Sequence, residues 1–321
     1  MKRGRHWRCT LPDIALAVAG LWFWYDDETA PVLRGLDLII RSGEFVALVG
    51  ANGSGKTTLT KHFNGLLRPQ RGRVIAGGDD TAQQSVGQLA RYVGYLFQHP
   101  EQQIFSPTVR QELAFGPQNL QLPPAQIRAR VEAALVRFDL TEVADKPPAT
   151  LSYGLRRRIT LASLAAMDSP VLVLDEPTVG LDAPSLGETF RWLASLHAHG
   201  RTIFLVTHDM ALAAQYAERI VVLQKGQIIA DGAAADLFQQ AGLLDRASLA
   251  PPPVLALAQA LRTYGLRGDS RSVEAFCDEY VTRVEIQSGL PSGPVTYPTP
   301  PPNGPASHSE SRREDRDEPA V

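Results

Sequence analysis

A glycine-rich segment between a strand-like and a helix-like stretch constrains the fold of this chain more than any other feature. The segment matches the phosphate-loop pattern G-x-x-x-x-G-K-[ST] in full. It consists of Gly50, Ala51, Asn52, Gly53, Ser54, Gly55, Lys56 and Thr57. The apolar run before it is typical of a buried strand, and residues 57–66 have the character of a helix. Such a loop lets backbone N–H groups surround a phosphate at a helix N-terminus, where the helix dipole favours anions.

The side chains at the end of this segment predict how a nucleotide would be held. Lys56 would place its charge on the β- and γ-phosphates, and the Thr57 hydroxyl would ligate Mg²⁺. Thr58 is included among the nucleotide-binding residues. A glycine turn that binds nothing is the alternative, but the strand–loop–helix context makes that reading weak.

Two acidic residues end a second buried strand. The apolar run 171–174 is followed directly by Asp175 and Glu176. Near a phosphate loop, Asp175 would hold Mg²⁺ directly or through water, and Glu176 would act as the general base toward the attacking water. Taken alone, the pair could equally be solvated acids at a strand end.

Strand-like and helix-like segments alternate from about residue 13 to residue 238. Several runs are apolar on both faces, which indicates central parallel strands covered by helices. The stretch 221–229 is typical of a late hairpin, with Lys225 and Gly226 at its turn. Proline pairs delimit a predicted helical subdomain at roughly residues 125–166.

Five further features are weak singly but informative in their order. Leu151-Ser152-Tyr153-Gly154 lies 24 residues before Asp175 and opens a basic helix. The segment 177–182, ending in Asp182, follows the acidic pair, and His208 follows another apolar run. Gln98 follows the run 94–97, and Tyr25 lies 31 residues before Lys56.

Together these segments resemble the ATP-binding cassette (ABC) ATPases over roughly residues 13–238. The resemblance implies an α/β phosphate-loop NTPase fold, with a mostly parallel central sheet, an antiparallel β subdomain, a helical subdomain and a small C-terminal extension. It implies ATP and Mg²⁺ as cofactors. In family terms, the motifs are a signature, a D-loop, a switch histidine, a Q-loop glutamine and an adenine-stacking aromatic residue.

The resemblance also implies a mechanism that needs two chains. Two such domains close head to tail over two ATP molecules, so that Ser152 and Gly154 of one chain would contact the γ-phosphate held by the other. His208 would hold the γ-phosphate and the attacking water, and Asp182 would take part in nucleotide binding. Gln98 would ligate Mg²⁺ and sense the membrane partner.

The signature departs from the family pattern Leu-Ser-Gly-Gly-Gln at two positions. Tyr153 stands where the first glycine is usual, and Leu155 stands where glutamine is usual. The ring would lie close to a phosphate-binding turn, and the leucine removes a polar contact. Because Ser152 and Gly154 remain, we interpret the signature as weakened or specialised rather than inactive.

The stretch 98–120 resembles the Q-loop region of energy-coupling factor transporter ATPases, the paired ATPases of vitamin and cobalt or nickel uptake. This implies a second ATPase subunit, either a second copy or a paralogue, and integral membrane subunits that contact residues 98–120. Three alternatives are a conventional importer ATPase, a non-transport ABC ATPase and a binding-only regulatory subunit. The sequence does not name the transported substrate.

Composition sets the remaining expectations. The net charge of −2 gives no field that favours nucleic acid. Cys9 and Cys277 are distant from each other and have no histidine cluster nearby, so we expect neither a zinc site nor a disulfide framework. No run reaches the roughly 18 to 20 apolar residues of a spanning helix, so we expect a peripheral protein held at the cytoplasmic face of the membrane by its partner. The predicted units are a flexible basic arm (1–12), the ATPase domain (13–242), a small helical extension (243–287) and a disordered proline-rich, charged tail (288–321).

Overall fold

The computed structural model describes residues 13–26, 30–99, 103–247 and 249–288 of the 321-residue chain. The predicted basic arm at residues 1–12 lies outside the described residues. All of the predicted tail after residue 288 also lies outside them. Those two predictions therefore stay predictions.

Ten β-strands in the described residues form two sheets. In chain order they are β1 (Ile14–Phe23), β2 (Leu33–Arg41), β3 (Phe45–Val49), β4 (Arg71–Ala76), β5 (Asp79–Asp80), β6 (Val93–Leu96), β7 (Val171–Asp175), β8 (Thr202–Val206), β9 (Arg219–Gln224) and β10 (Gln227–Ala233). The larger sheet has the order β10-β9-β3-β8-β7-β6, and the smaller has the order β2-β1-β4-β5.

The same part of the chain contains eleven α-helices. They are α1 (Lys56–Phe63), α2 (Val86–Leu89), α3 (Val109–Asn119), α4 (Pro124–Arg137), α5 (Tyr153–Met167), α6 (Ala183–Ala198), α7 (Met210–Tyr216), α8 (Ala234–Leu237), α9 (Ala241–Arg246), α10 (Pro253–Ala260) and α11 (Val273–Ser288). Short 3₁₀ turns lie at 81–83, 141–143, 148–150 and 261–264.

The larger sheet is parallel except at one edge. Strands β3, β6, β7, β8 and β9 pair in parallel, and β10 pairs antiparallel with β9. Every residue of β3, β7 and β8 is buried, because helices or the second sheet cover both faces of these strands. The smaller sheet is antiparallel throughout. Both observations confirm the predicted fold class.

The alternation of side chains along β3 shows how the layers share one strand. Phe45, Ala47 and Val49 belong to the core that the sheet forms with the helices. Val46 and Leu48 belong to the core that it forms with the antiparallel sheet and α1. Because successive side chains of a strand point to opposite faces, β3 contributes to both cores. Its carboxyl end, where the phosphate loop begins, is therefore held by packing on both faces.

The helical region is larger than the sequence indicated. Helices α3, α4 and α5 pack on one another, so the region begins at Val109, one helix before the expected start near residue 125. The missed helix has a clear start, because the Thr108 side chain accepts a hydrogen bond from the backbone N–H of Gln111. Val109 and Leu113 bury its apolar side in the main core.

The predicted hairpin is present, with Lys225 and Gly226 as its two-residue turn between β9 and β10. Both residues have positive φ, 48° and 77°, as a type I′ turn requires. A Cβ at Gly226 would lie 2.0 Å from the Val32 carbonyl oxygen. The Gly226 N–H donates to the Ser54 carbonyl at 2.9 Å, so the turn braces the phosphate loop.

The C-terminal helices are joined to the main core. Leu243, Leu244, Ala247 and Leu255 are buried in the same cluster as the central strands. The proposed boundary at residue 243 therefore falls inside α9. None of the helices in the described residues is both long and apolar enough to cross a membrane.

We expect Leu244→Ala to lower the free energy of unfolding of the whole domain by about 2–5 kcal/mol, the usual cost of a cavity in a packed core. Leu244 is 3% exposed, whereas Leu257 of the neighbouring α10 is 48% exposed. The control Leu257→Ala should stay within about 0.5 kcal/mol of wild type. Urea unfolding followed by tryptophan fluorescence measures both. Equal effects of the two variants would show that α9 does not share the central core.

Candidate functional site

The phosphate loop joins the carboxyl end of β3 to α1, and two of its glycines have no room for a side chain. A Cβ at Gly50 would lie 2.2 Å from the Leu223 carbonyl oxygen. Gly55 caps α1 with a left-handed backbone (φ 106°), and its Cβ would lie 2.9 Å from Leu33. The loop is therefore wrapped tightly against β9 and β2. Its opening side faces the N-terminus of α1, where an anion is favoured.

Lys56 and Thr57 begin α1, and Thr57 connects the loop to β7, which lies two strands away from β3 in the sheet. The Lys56 ammonium donates to the carbonyl oxygens of Gly50 and Ala51 at 2.8 and 3.0 Å. The Thr57 hydroxyl donates to Oδ2 of Asp175 at 2.7 Å. Asp175 is the last residue of β7, so this bond joins the phosphate loop to the second strand end.

Burial shifts the pKa of Lys56, in the phosphate loop, and the pKa of Asp175, at the end of β7, in opposite directions. It lowers the pKa of Lys56, while the negative charges of Glu176 and Asp175 oppose that shift. It raises the pKa of Asp175, while hydrogen bonds from Thr57 and Tyr95 oppose that shift. Each charged form is disfavoured by burial and favoured by its neighbours. The site therefore suits a ligand that brings charges of both signs, such as a phosphate with a metal ion.

Glu176 and His208 meet at the ends of β7 and β8. Nδ1 of His208 lies 2.9 Å from Oε1 of Glu176, so with an ionised carboxylate this nitrogen carries the proton. The other oxygen, Oε2, is buried, and no described residue hydrogen-bonds to it. Glu176 also has a left-handed backbone with φ 50°, which costs about 1–2 kcal/mol for a residue with a Cβ. Such strain marks candidate functional positions.

One open cleft collects most of the predicted nucleotide-binding residues. It has a volume of about 490 Å³, within the range of small-ligand sites. Its lining includes Tyr25, Asn52, Gly53, Gly55, Lys56, Thr57, Thr58, Gln98, Asp175 and Glu176. Thus residues that are distant in sequence lie together where three parallel strands end, the usual ligand edge of an open α/β sheet.

Tyr25 stands at the rim of this cleft. Its side chain is 57% exposed, and its hydroxyl lies 3.1 Å from the Thr58 hydroxyl. Phe23 supports the ring edge-on at 5.0 Å between centroids. An exposed ring braced beside a phosphate loop is available to stack on a planar base.

The donor set fits Mg²⁺ together with phosphate oxygens. A cluster of three His, Cys, Asp or Glu side chains able to hold a metal is absent from the described residues. Mg²⁺ does not need one, because it keeps several waters and is usually bound through one or two carboxylates plus substrate phosphates. Thr57, Gln98 and Asp175 line the cleft beside the phosphate loop and could supply oxygen ligands of this kind.

The signature residues lie outside the lining of that cleft. Ser152 caps α5, its hydroxyl accepting from the backbone N–H of Leu155 at 3.3 Å. Asp182 caps α6 by accepting from the Ser185 N–H at 2.9 Å. Gly154 approaches the Gly180 carbonyl, where a Cβ would lie 3.2 Å away. The signature helix and the D-loop thus touch within one chain.

The two unusual signature residues both turn toward the protein. The ring of Tyr153 covers Gly180, where a Cβ would lie 2.2 Å from the ring. Leu155 is partly buried and packs against the main core. The ring of Tyr153 therefore packs on the D-loop and does not fill the turn that Ser152 begins. Leu155 makes apolar contacts with the main core where the family's glutamine would make a polar contact.

Sequence reasoning missed two residues behind the site. Tyr95 is buried, and its hydroxyl contacts Thr60 at 2.9 Å and Asp175 at 3.4 Å. Arg157 belongs to the basic helix that the sequence predicts after the signature and has no role assigned to it there, yet it is fully buried. The helical period contained the signal, because Arg157 stands four and seven positions before the buried Leu161 and Leu164.

Comparison with known proteins identifies the family of this site. Residues 33–179 match the model of the ABC transporter family. An energy-coupling factor transporter ATP-binding protein, EcfA of Methanothermobacter thermautotrophicus, is 39% identical over 251 residues, which cover 78% of this chain and 80% of that protein. The chain belongs to the ABC ATPase family.

Solved structures agree with this assignment of the chain as an ABC ATPase. CbiO1 from Clostridium perfringens, described as part of the ABC transporter complex cbiONQ, matches with a TM-score of 0.63 and 34% identity over 73% of this chain and 94% of its own. A dimeric ATP-binding cassette in a post-hydrolysis state bound to ADP and Pi matches with a TM-score of 0.61 and 25% identity, over 68% of this chain and 98% of its own. Two putative ABC transporter ATP-binding proteins from Methanosarcina species are longer, and this chain spans 40% and 39% of their length.

The packing of Tyr153 on the D-loop of this ABC ATPase predicts that Gly180→Ala is destabilising. Gly180 has φ 83°, which costs an alanine about 1–2 kcal/mol, and the new Cβ must also displace the ring. Thermal and urea unfolding measure the loss. The double variant with Tyr153→Gly should recover the part due to the ring.

The matched control is Gly187→Ala in α6, where nothing lies within 4 Å of the added Cβ. There alanine should stabilise the helix by about 0.5–1 kcal/mol. If Gly180→Ala and Gly187→Ala change stability alike, the tyrosine does not pack on Gly180 in solution.

Proposed function

We propose that this chain is the ATP-hydrolysing subunit of an ABC transporter, an importer of the energy-coupling factor type that carries a vitamin or a cobalt or nickel ion. The observation that carries the proposal is the meeting of the phosphate loop, Asp175, Glu176 and His208 at the carboxyl ends of three parallel strands. Binding groups and a candidate base are thereby held next to each other.

Binding and chemistry fall to different residues in this mechanism. Bound Mg-ATP supplies the γ-phosphoryl group and the metal charge that neutralises its oxygens. Lys56 and the loop amides hold the phosphates, with Thr57, Gln98 and Asp175 available to the metal. Tyr25 stacks on the adenine ring. Glu176 accepts the proton of the attacking water.

His208 orients that base. Its Nδ1–H donates to Oε1 of Glu176 and thereby fixes the orientation of the carboxylate. The His208 side chain is 64% exposed, so its other nitrogen can reach a γ-phosphate. Asp209 fixes the following helix by accepting from the N–H groups of Ala211 and Leu212, which holds the histidine at a defined position.

A pair of chains is part of the proposal. Ser152, Gly154 and Asp182 do not line the cleft of their own chain, which suits a role at the nucleotide of a second ATPase subunit, either a copy or a paralogue. The dimeric, ADP- and Pi-bound relative supports such a pair. The inward-turned Tyr153 leaves the N-terminus of α5 free to face an anion.

The proposal also includes a membrane partner that contacts residues 98–120. Phe105 and Phe115 are 64% and 42% exposed and form an edge-on aromatic pair at 4.5 Å. Buried Glu112 holds this surface by accepting from the N–H groups of Phe105 and Ser106 at 3.2 and 2.9 Å. An ordered aromatic surface within residues 98–120 suits an integral membrane subunit, which would hold the chain at the cytoplasmic face.

The energy-coupling factor branch is supported by the names of several relatives. A conventional importer ATPase, a non-transport ABC ATPase and a regulatory subunit are the alternatives. Isolating the intact complex from membranes and identifying its subunits distinguishes an energy-coupling factor importer, a conventional importer and a non-transport ATPase. A purified pair that binds but does not hydrolyse ATP would indicate the regulatory subunit.

We expect Glu176→Gln to keep the dissociation constant for ATP while lowering turnover by about 10²–10⁴-fold, the usual contribution of a general base. The amide keeps the size of the side chain but cannot accept the proton. Phosphate release and binding of a fluorescent ATP analogue measure the two quantities. Glu188→Gln, a change at an exposed acid of α6, is the control and should match wild type. Turnover near the wild-type value in Glu176→Gln would remove Glu176 from the role of base.

A further inference from the structure

A buried arginine lies behind the candidate site and has no part in the mechanism given above. Arg157 is in the second turn of α5, with none of its surface exposed. Burying a guanidinium is costly unless its N–H groups are paired. An apolar side chain could have filled the same space, so what the guanidinium contacts is informative.

The guanidinium donates to backbone carbonyls of two segments that carry site residues. One terminal nitrogen donates to the Phe97 carbonyl at 2.6 Å, directly before Gln98. The other donates to the Glu176 carbonyl at 2.5 Å and approaches that of Asp175 at 3.5 Å. Nε donates to the Pro177 carbonyl at 3.3 Å, where the D-loop begins. The planar fork of arginine suits several fixed acceptors at once, which a lysine would not.

These bonds fix the backbone of Glu176 where it is strained. Its N–H donates to the Val206 carbonyl at 3.0 Å, and its carbonyl accepts from Arg157. The peptide groups on both sides of the left-handed residue are therefore held, from β8 and from α5. Releasing the carbonyl would let the residue relax to ordinary φ and move its carboxylate away from His208.

The same helix begins at the signature. Ser152 caps α5 five residues before Arg157, a separation of about 7.5 Å along a helix. A movement of α5 that brings Ser152 to a partner's nucleotide must therefore shift the carbonyls that position Gln98 and Glu176 in its own chain. One rigid element connects the two sites.

We propose that Arg157 is a positioning residue that couples the signature helix to the base Glu176 and to Gln98. This proposal rests on the proposed ATPase function. It assigns to Arg157 the orientation of the base, and no contact with ATP, so its loss should reduce the chemical step and leave nucleotide binding intact.

The test compares Arg157→Met, which fills the space without hydrogen bonds, and Arg157→Lys with the wild-type chain. We expect Arg157→Met to lower kcat by about 10- to 100-fold, the usual effect of removing a group that orients a catalytic ligand. The ATP dissociation constant should stay unchanged, and Arg157→Lys should retain an intermediate kcat. Turnover is expressed per folded molecule, as given by titration with the fluorescent ATP analogue.

Arg130→Met is the matched control. Arg130 donates to the carbonyls of Ala166 and Met167 at the far end of the same helix. Its loss should cost stability but not kcat. A second measurement uses Arg157→Ala with guanidinium ion at concentrations well below those that unfold the protein. The ion should restore kcat in Arg157→Ala and have no such effect on Arg130→Met.

The outcomes separate this proposal from the one on which it rests. A wild-type pair, this chain together with its second ATPase subunit, that shows no ATP turnover would overturn the proposed function. A wild-type chain with turnover, combined with an unchanged kcat in Arg157→Met, would overturn the positioning role alone. So would a raised KM at constant kcat, or equal losses in Arg157→Met and Arg130→Met, because either result describes a residue that only holds the fold.

Discussion

The hydrogen bond from Thr57 to Asp175 joins the two halves of the site. It connects the first turn of α1 to the end of β7, and both elements have buried residues in the core that the larger sheet forms with the antiparallel sheet. The strand β3 before the loop is buried on both faces, as is β7. Because parallel strands bring their carboxyl ends to one edge, the loop, the acids and His208 converge although they are far apart in sequence.

The buried charges and the backbone strain at this edge of the sheet are unfavourable for the stability of the protein alone and are suited to binding a ligand. Lys56 and Asp175 have pKa values shifted by burial against their charged forms. Glu176 has a strained backbone and a buried oxygen without a described hydrogen-bond partner. Proteins keep such costs where function requires them. The signature helix approaches the same residues from behind through the carbonyl contacts of Arg157, so one helix serves two sites.

The sequence predicted the features that depend on local pattern. Buried strands, the phosphate loop and the hairpin turn at Lys225 and Gly226 all follow from short-range chemistry, and the structure has them in place. It did not predict that Arg157 is buried, because a run of three arginines is normally a solvated face and only tertiary packing selects one of them. Nor did it predict α3, although Thr108 caps that helix locally. The continuity of α9 with the main core was also not predicted, since it depends on contacts distant in sequence. The inward turn of Tyr153 depends on the neighbouring D-loop in the same way.

The central claim is that this edge binds a divalent metal together with ATP through Asp175. Electron paramagnetic resonance of Mn²⁺, used in place of Mg²⁺, tests it directly on the purified chain. The wild-type chain should bind Mn²⁺ tightly only when ATP is present, and Asp175→Asn should lose the tightly bound Mn²⁺ while still binding ATP without metal. Equal Mn²⁺ binding by the two proteins in the presence of ATP would contradict the account.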